Sequence, residues 1–511
     1  MWRRILLLLP LVLGPIAACT KWALSDQPLT ALPDRGPGKG IGTLRLYLAS
    51  GDPVVLSQAF LRHDSLVGLV EKSRSEEAFA TADIRSVEIR KSDPLATSFA
   101  VVGGLAVALA AAGAIAVASM GPMFAGSSSG GGESTASCPI VYSWDGSQWL
   151  LDSGTFGGAI TWGLQRTDVD GLDHLSPTGG VLKLRVTNEL DETDHLDALE
   201  LLVVDHSPGT RIVPDGTGTL HVIRALDAPL SAHDFSGADA LQRVSRVDGH
   251  GWESRLVERD TSALANARDG LELRFRRPAT NEAHLVLDGN NTAWATFLLG
   301  QWLAWRGPGL EAWYATMDRD PVMARRVGMG VAREAFLTAS VLTTSGWKRQ
   351  GLYWEAGPEV SKRQVMHLDL RDVPDSVVVV RLEAPPSFWW IDAIALEGAE
   401  DEAVQVTALK ASVARTWDGT EPLTQLAAAD SNYRTLETGQ WMELDFTAPP
   451  ARAGLTRSYV LRSTGWYHVN TTPNAVAQTG LLRRMEEEPG AISRVATGRL
   501  NDAVRTLSAP R

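Results

Sequence analysis

The chain has little cysteine. Among 511 residues only Cys19 and Cys138 carry a thiol, so no disulfide framework holds the fold and a hydrophobic core must do so. It has no surplus of positive charge. Its 48 Lys and Arg face 60 Asp and Glu, a net charge of -12. That excludes a general nucleic-acid binder and a polybasic grip on anionic lipid. It lacks the HExxH and His-x-x-x-His spacings that place two imidazoles on one helix face for zinc. Tyrosine is scarce, 7 against 17 Trp, so indoles supply much of the aromatic bulk expected inside a β core. Between Lys91 and Arg166 there is no Lys or Arg at all. What is present is globular: hydrophobic residues make up 44%, and the length predicts about two to four domains.

The first nineteen positions have the order of an export signal. Arg3 and Arg4 precede an apolar run from Ile5 to Leu13, and small residues follow in Ile16-Ala17-Ala18-Cys19. This string resembles the lipobox of bacterial lipoproteins. The resemblance implies that residues 1–19 form a signal peptide and that Cys19 is lipidated, becoming the new N-terminus and anchoring the chain to a membrane. Thr20 stands where that family carries an Asp for inner-membrane retention, which favours the outer membrane. Cys138 then has no partner within the chain and is expected as a buried thiol, or as a partner for another chain. No His lies near it in sequence to activate it.

Residues 20–42 are rich in Pro and Gly and read as a tether. Residues 43–97 carry short alternating runs, such as Leu44, Leu46 and Leu48 around Arg45 and Tyr47. They predict a small β module whose pattern resembles SH3-like or Sm-like modules. Within 98–121, Phe99–Met120 is uncharged and dominated by Ala, Val, Leu and Gly. As a helix it would be ~33 Å long, enough for a hydrocarbon core of about 30 Å. The flanks conflict with the signal peptide. The positive-inside rule places 43–97 in the cytoplasm, whereas the export signal places it outside. The lipobox, a multi-part signal, favours an extracytoplasmic bulk. Phe99–Met120 is then a full span, a membrane-inserted hairpin bending near Gly113, or a helix buried against a partner. Residues 122–137 form a Ser/Gly linker.

From Cys138 onward the texture is β. The chain predicts a β domain over 138–228, a β domain with a helical insertion over 229–400, a third β domain over 401–475 and a polar tail over 476–511. Leu182, Leu184 and Val186 alternate with charged or polar residues, as does Trp441-Met442-Glu443-Leu444-Asp445-Phe446. Val377–Val380 is continuously apolar, the mark of a strand covered on both faces. Trp294, Phe297, Leu298, Trp302 and Trp305 recur at helical spacing, and a second helix is predicted from Leu310 towards Phe336. Trp144-Asp145-Gly146 recurs as Trp417-Asp418-Gly419, and Val341-Leu342 before Gly346-Trp347 echoes Val460-Leu461 before Gly465-Trp466. Ordinary turns beside strands account for such short matches.

Four features carry candidate chemistry. Gly126-Ser127-Ser128-Ser129-Gly130 has nucleophile-elbow spacing, but it lies in the linker without the strand and helix an elbow needs. Asp168, Asp170 and Asp173 around Gly171 resemble the start of a calcium loop without its bidentate Glu. A solvated turn is the simpler reading. His195 and His206, with Asp197 and Asp205, have the donor types for zinc, against ordinary strand-edge polarity. Trp389 and Trp390 put aromatic surface on both faces of one strand, for stacking on a sugar or docking a partner, against filling the core.

Cys138-Pro139-Ile140-Val141-Tyr142 through Trp144-Asp145-Gly146, Gly157-Gly158-Ala159, Asn188–Thr193 with Val203–His206, Phe388–Ala393 and Ser463–Tyr467 resemble uncharacterised bacterial envelope lipoproteins. That resemblance covers most of 138–470. It implies an extracytoplasmic β-rich protein of the cell envelope, and it assigns no reaction and no cofactor. The expectation is a lipid-anchored binding or scaffold protein with an envelope protein or a carbohydrate as ligand. The alternatives are an extracytoplasmic hydrolase or carbohydrate-active enzyme with two carboxylates, and a membrane-assembly subunit using 99–120.

Overall fold

A computed structural model describes residues 20–24, 44–48, 53–62, 65–70, 72–73, 75–92, 138–253, 268–354, 357–373, 376–398, 402 and 404–508. Cys19, the apolar segment 99–120 and the Ser/Gly linker lie outside the described residues. Two compact units are present, one built on the strands up to Ser92 and the other on those from Ile140 onward. The chain is mainly β. Among the described residues no helix is long and apolar enough to cross a membrane.

The small unit holds β1 (Thr20–Leu24), β2 (Leu44–Leu48), β3 (Val54–Arg62), β4 (Ser65–Val70), β5 (Glu76–Ala80) and β6 (Ile84–Ser92). Strands β2 to β5 form a meander, a 3-10 turn at Thr81–Asp83 follows, and β6 returns beside β2. That order matches the predicted SH3-like module, and the sheet is not a closed barrel. Alternation puts Leu44, Leu46, Leu56 and Leu66 on one face, all buried. β1 extends the sheet by pairing with β6, Trp22 opposite Arg90. Residues 20–24 are thus a strand, where the Pro/Gly content of the following stretch predicts tether.

The large unit runs through β7 (Ile140–Trp144), β8 (Trp149–Gly154), β9 (Arg166–Leu172), β10 (Val181–Thr187), β11 (Glu192–His206), β12 (Arg211–Pro214), β13 (Leu220–Ile223), β14 (Ser231–Asp234), the short α1 (Leu241–Val244), β15 (Trp252–Glu253), β16 (Asp269–Arg276) and β17 (Glu282–Asn291). Helices α2 (Ala293–Ala304), α3 (Leu310–Arg319) and α4 (Pro321–Ala335) follow, then β18 (Leu337–Thr343), β19 (Gly346–Tyr353), β20 (Lys362–Asp369), β21 (Val377–Ala384) and β22 (Trp389–Gly398). The chain ends with β23 (Gln405–Leu409), β24 (Val413–Thr416), β25 (Arg434–Leu436), β26 (Trp441–Thr447), β27 (Thr456–Val469), α5 (Thr479–Glu487) and α6 (Ala491–Ser508).

These strands make two sandwiches. In the first, the sheet β24-β26-β10-β7-β8 faces the sheet β23-β11-β27-β9, and one aliphatic core containing Leu184, Leu199, Leu444 and Leu461 joins them. In the second, β14-β16-β21-β18-β19 faces β15-β22-β17-β20. Its core includes Phe275, Leu285, Val380 and Trp389, and helices α2 to α6 extend it. The segments 138–228 and 401–475 are therefore not two domains. β10 pairs with both β7 and β26, and β11 with both β9's neighbour β27 and β23. Local alternation identifies strands with one apolar face; it carries no information on which distant strand covers that face.

Val378, Val379 and Val380 are buried, as the continuous apolar run of β21 predicts. The predicted second helix is two, α3 and α4, because Asp320-Pro321 starts a new one. Pro321 has no N–H to give at the first helical position, and the Asp320 carboxylate accepts from the N–H groups of Val322 and Met323. Residues 479–508 are no polar tail. Leu482, Met485, Ile492, Ala496 and Leu500 pack into the second core. The echoes are not a repeat either. Gly346 turns the β18–β19 hairpin at φ +105°, whereas Gly465 lies inside β27, where a Cβ would meet the His195 carbonyl at 2.5 Å.

A charged candidate site between the two sandwiches

Strand β9 of the first sandwich, β20 of the second and the hairpin β12–β13 come together around a cavity of about 120 Å³. Residues two apart in a strand share a face, so Asp168 and Asp170 of β9 point the same way. Lys362, at the start of β20, meets both: its Nζ lies 3.2 Å from Asp168 Oδ2 and 2.5 Å from Asp170 Oδ1. Asp168 also accepts from the Arg166 guanidinium at 3.2 Å and from the Phe156 N–H at 3.1 Å. Arg166 in turn lies over the Trp354 ring, 5.1 Å from its centroid.

A second layer of pairs surrounds this centre. Asp152 accepts from the His174 ring at 2.9 Å and from the N–H groups of Asp173 and His174. Arg363 is 2.9 Å from Asp288 and 3.4 Å from the exposed Asp173. Asp215 accepts from Thr217, Thr219 and the His221 ring. Trp354 is held as if in a strand by the Gln364 side chain: its N–H donates to Oε1 at 3.1 Å and its carbonyl accepts from Nε2 at 3.0 Å. The ring fits because Gly216 lacks a Cβ, which would sit 2.2 Å from Trp354 Cδ1.

Burial acts against charge on both acids, yet they separate. Arg166 and Lys362 overcome the burial of Asp168 and hold its carboxyl well below the usual carboxylate range. Burial pushes Asp170 up to about 6, with the Asp168 charge adding to the rise and Lys362 opposing it. Asp168 and Asp170 hold Lys362 above the ordinary lysine range despite its burial. One atom is left over. Asp170 Oδ2 is buried and accepts no hydrogen bond among the described residues.

The three acids Asp168, Asp170 and Asp173 thus do share a site, but not a calcium loop. The place a cation would take between Asp168 and Asp170 is held by the Lys362 ammonium, and among the described residues no group of three or more His, Cys, Asp or Glu side chains is arranged to hold a metal. His195 and His206 do not meet. Both lie on β11, and at about 3.3 Å per residue they are roughly 35 Å apart. His195 stacks on Trp466 at 3.9 Å between centroids. His206 is tied to Thr210 and Ser458, each at 2.8 Å. Asp197 accepts from the N–H groups of Asp430 and Ser431, and Asp205 pairs with Arg457 and Arg452. Trp389 is 1% exposed in the second core, so it offers no ligand surface. Trp390, on the other face, is half-buried against Gly251. Cys138 is a buried thiol.

Lys362, Arg363, Asp152, His174 and Trp354 are members of the site that sequence reasoning missed. Asp168 and Lys362 are 194 residues apart, so no local spacing could link them. Neither family models, nor curated proteins, nor solved structures give a match to this chain.

Proposed function

We propose that this chain is a lipid-anchored protein of the bacterial cell envelope, held by Cys19 with its bulk outside the inner membrane and at the outer membrane. On this reading the inter-sandwich cleft is a binding site for a carbohydrate. The observation that carries the ligand class is the lining of this cleft, in which donors and acceptors stand beside an indole. Lys362, Arg363 and His174 supply donors around it, Asp152 and Asp173 supply acceptors, and Trp354 contributes an aromatic wall. Interleaved donors and acceptors beside a ring suit a neutral polyol better than an ion of either sign.

A hydrolase draws support from one fact, the split between a low Asp168 and a raised Asp170, the pattern of a base and an acid. Lys362 counts against it, since an ammonium between the two carboxylates occupies the position of a scissile bond. The membrane-assembly reading rests on residues 99–120, outside the described structure.

The test is titration of the full chain against a panel of neutral and acidic oligosaccharides. Saturable binding that falls at least tenfold in both Trp354→Ala and Asp170→Asn is expected. Absence of binding to every member rejects the carbohydrate reading, and release of new reducing ends replaces it with the hydrolase. Anchoring is read separately: an alkyne-labelled fatty acid fed to cells should mark the chain and fail to mark Cys19→Ala.

A further inference from the structure

A second cavity, of opposite chemistry, lies among the helices. Leu298 and Trp302 of α2, Val331 of α4, Met485 of α5 and Ile492 and Val495 of α6 enclose about 70 Å³. Trp302, Val331, Met485 and Ile492 also line a wider opening of about 620 Å³. Met485 lines both, and an unbranched thioether can turn aside at low cost. Together they fall in the size range of small-molecule pockets, about 300–1,000 Å³.

The rim of the opening is mixed but its charges are not equivalent. Asp320 is committed to capping α4. Glu486 pairs with Arg306 at 2.9 Å, and Glu487 with Arg483 at 3.9 Å. Arg333 donates from Nε only to the Met329 carbonyl of its own helix. Arg326 is exposed and makes no ion pair or hydrogen bond among the described residues. Asp320 keeps its charge, since N–H donors do not neutralise a carboxylate, so Arg326 and Arg333 stand against one carboxylate without a cation partner and the charge left at the mouth is net positive. Beside it Val322 is 72% and Met323 38% exposed, an apolar lip that water does not favour.

We propose that this cavity and its mouth bind a free fatty acid. The alkyl chain passes Met485 into the apolar lobe, and the carboxylate meets Arg326 and Arg333 at the rim. The inference is independent of the carbohydrate cleft, with which it shares no residue.

The test is native mass spectrometry of the full chain, released from detergent in the presence of palmitate. A single saturable adduct is expected, with hexadecanol at least tenfold weaker because it lacks the charge for the arginines. Arg326→Glu should lower palmitate occupancy about tenfold, and Ala496→Phe, which fills the inner lobe, should abolish the adduct. Adducts that multiply without saturation, equal occupancy by hexadecanol, or full palmitate binding in Arg326→Glu would each overturn the proposal. Arg326 is exposed and makes no ion pair or hydrogen bond among the described residues, so that variant decides the matter even where Ala496→Phe fails to fold.

Discussion

The two sandwiches of the large unit are built in opposite ways. The second is continuous in sequence, its sheets formed from strands between Ser231 and Gly398. The first is assembled from β7–β11 and β23–β27, with the whole second sandwich lying between them in the chain. Both bury charge. The first buries acids, among them Glu192, Asp194 and Asp197. The second buries Asp269 and Asp392 and also Arg306, which lies 4.0 Å over Trp313 and 4.3 Å over Trp302; the half-buried Arg268 donates to the carbonyls of Glu334, Phe336 and Glu383. At the junction the acids of β9 meet Lys362 of β20. The cleft is thus the place where a non-local fold is locked by charge onto a local one.

The difference in continuity predicts an order of assembly. The second sandwich closes short loops, while the first must bring together segments separated by some two hundred residues. Trp389→Ala and Phe446→Ala each remove a fully buried ring from one core and should each cost about 3–5 kcal/mol. Hydrogen exchange separates them. Trp389→Ala should lower protection in both sandwiches, whereas Phe446→Ala should leave β16, β17 and β21 protected. Equal loss in both variants would make the unit one cooperative whole and erase the distinction.

The charge pairing that joins the two sandwiches is tested at Lys362. Lys362→Met leaves Asp168 and Asp170 buried without their ammonium and should cost about 3 kcal/mol at pH 7.5. Asp170 has a folded pKa raised to about 6, so its contribution to stability is full below its unfolded value and is lost as pH rises through 6. The deficit of Lys362→Met should therefore shrink on acidification, as Asp170 first becomes neutral. Urea midpoints at pH 7.5 and 4.5 measure it. A deficit unchanged with pH would mean that the ammonium contributes packing alone.

Within the first sandwich, His195 gives a smaller effect of opposite sign. Burial, with the His468 charge in support, lowers its pKa to about 4. A base that stays neutral when folded contributes stability above its unfolded pKa of about 6.5, lost as pH falls through 4. Between pH 7 and 4.5 this should remove about 2 kcal/mol, and His195→Phe should flatten that slope in urea unfolding. An unaltered slope in His195→Phe would show that the acid sensitivity does not arise at His195.

How much of this was legible follows the same division. Leu182-Leu184-Val186, Trp441–Phe446 and Val377–Val380 announce strands because burial on one face or two leaves a local trace. Trp294, Leu298 and Trp302 announce a helix for the same reason. The pairing of β10 with β26 leaves no such trace, so local alternation divides the first sandwich into two domains. Asp168, Asp170 and Asp173 were visible as an acidic cluster, but the base that defines their chemistry is contributed by a strand of the other sandwich. Trp389 and Trp390 sit on opposite faces, as alternation requires, yet the core takes Trp389 and Gly251 packs against Trp390. Pattern reports which face is apolar and is silent on what covers it.

The finest test is a single methyl group. Gly216, in the turn between β12 and β13, belongs to the hairpin that spans both sandwiches, and Trp354 lies against it as the last residue before β20's loop. A Cβ there would sit 2.2 Å from Cδ1 and 2.4 Å from Nε1 of the indole, so the ring must shift. Gln364 grips the Trp354 backbone on both sides and leaves only the side chain free to give. Gly216→Ala should therefore cost about 1 kcal/mol as local overpacking. It should also weaken ligand binding at the cleft more than it weakens the fold, because the displaced ring also loses its place beside Arg166. A variant that binds as tightly as the parent would detach Trp354 from recognition and leave the charge pairs as the whole of the site.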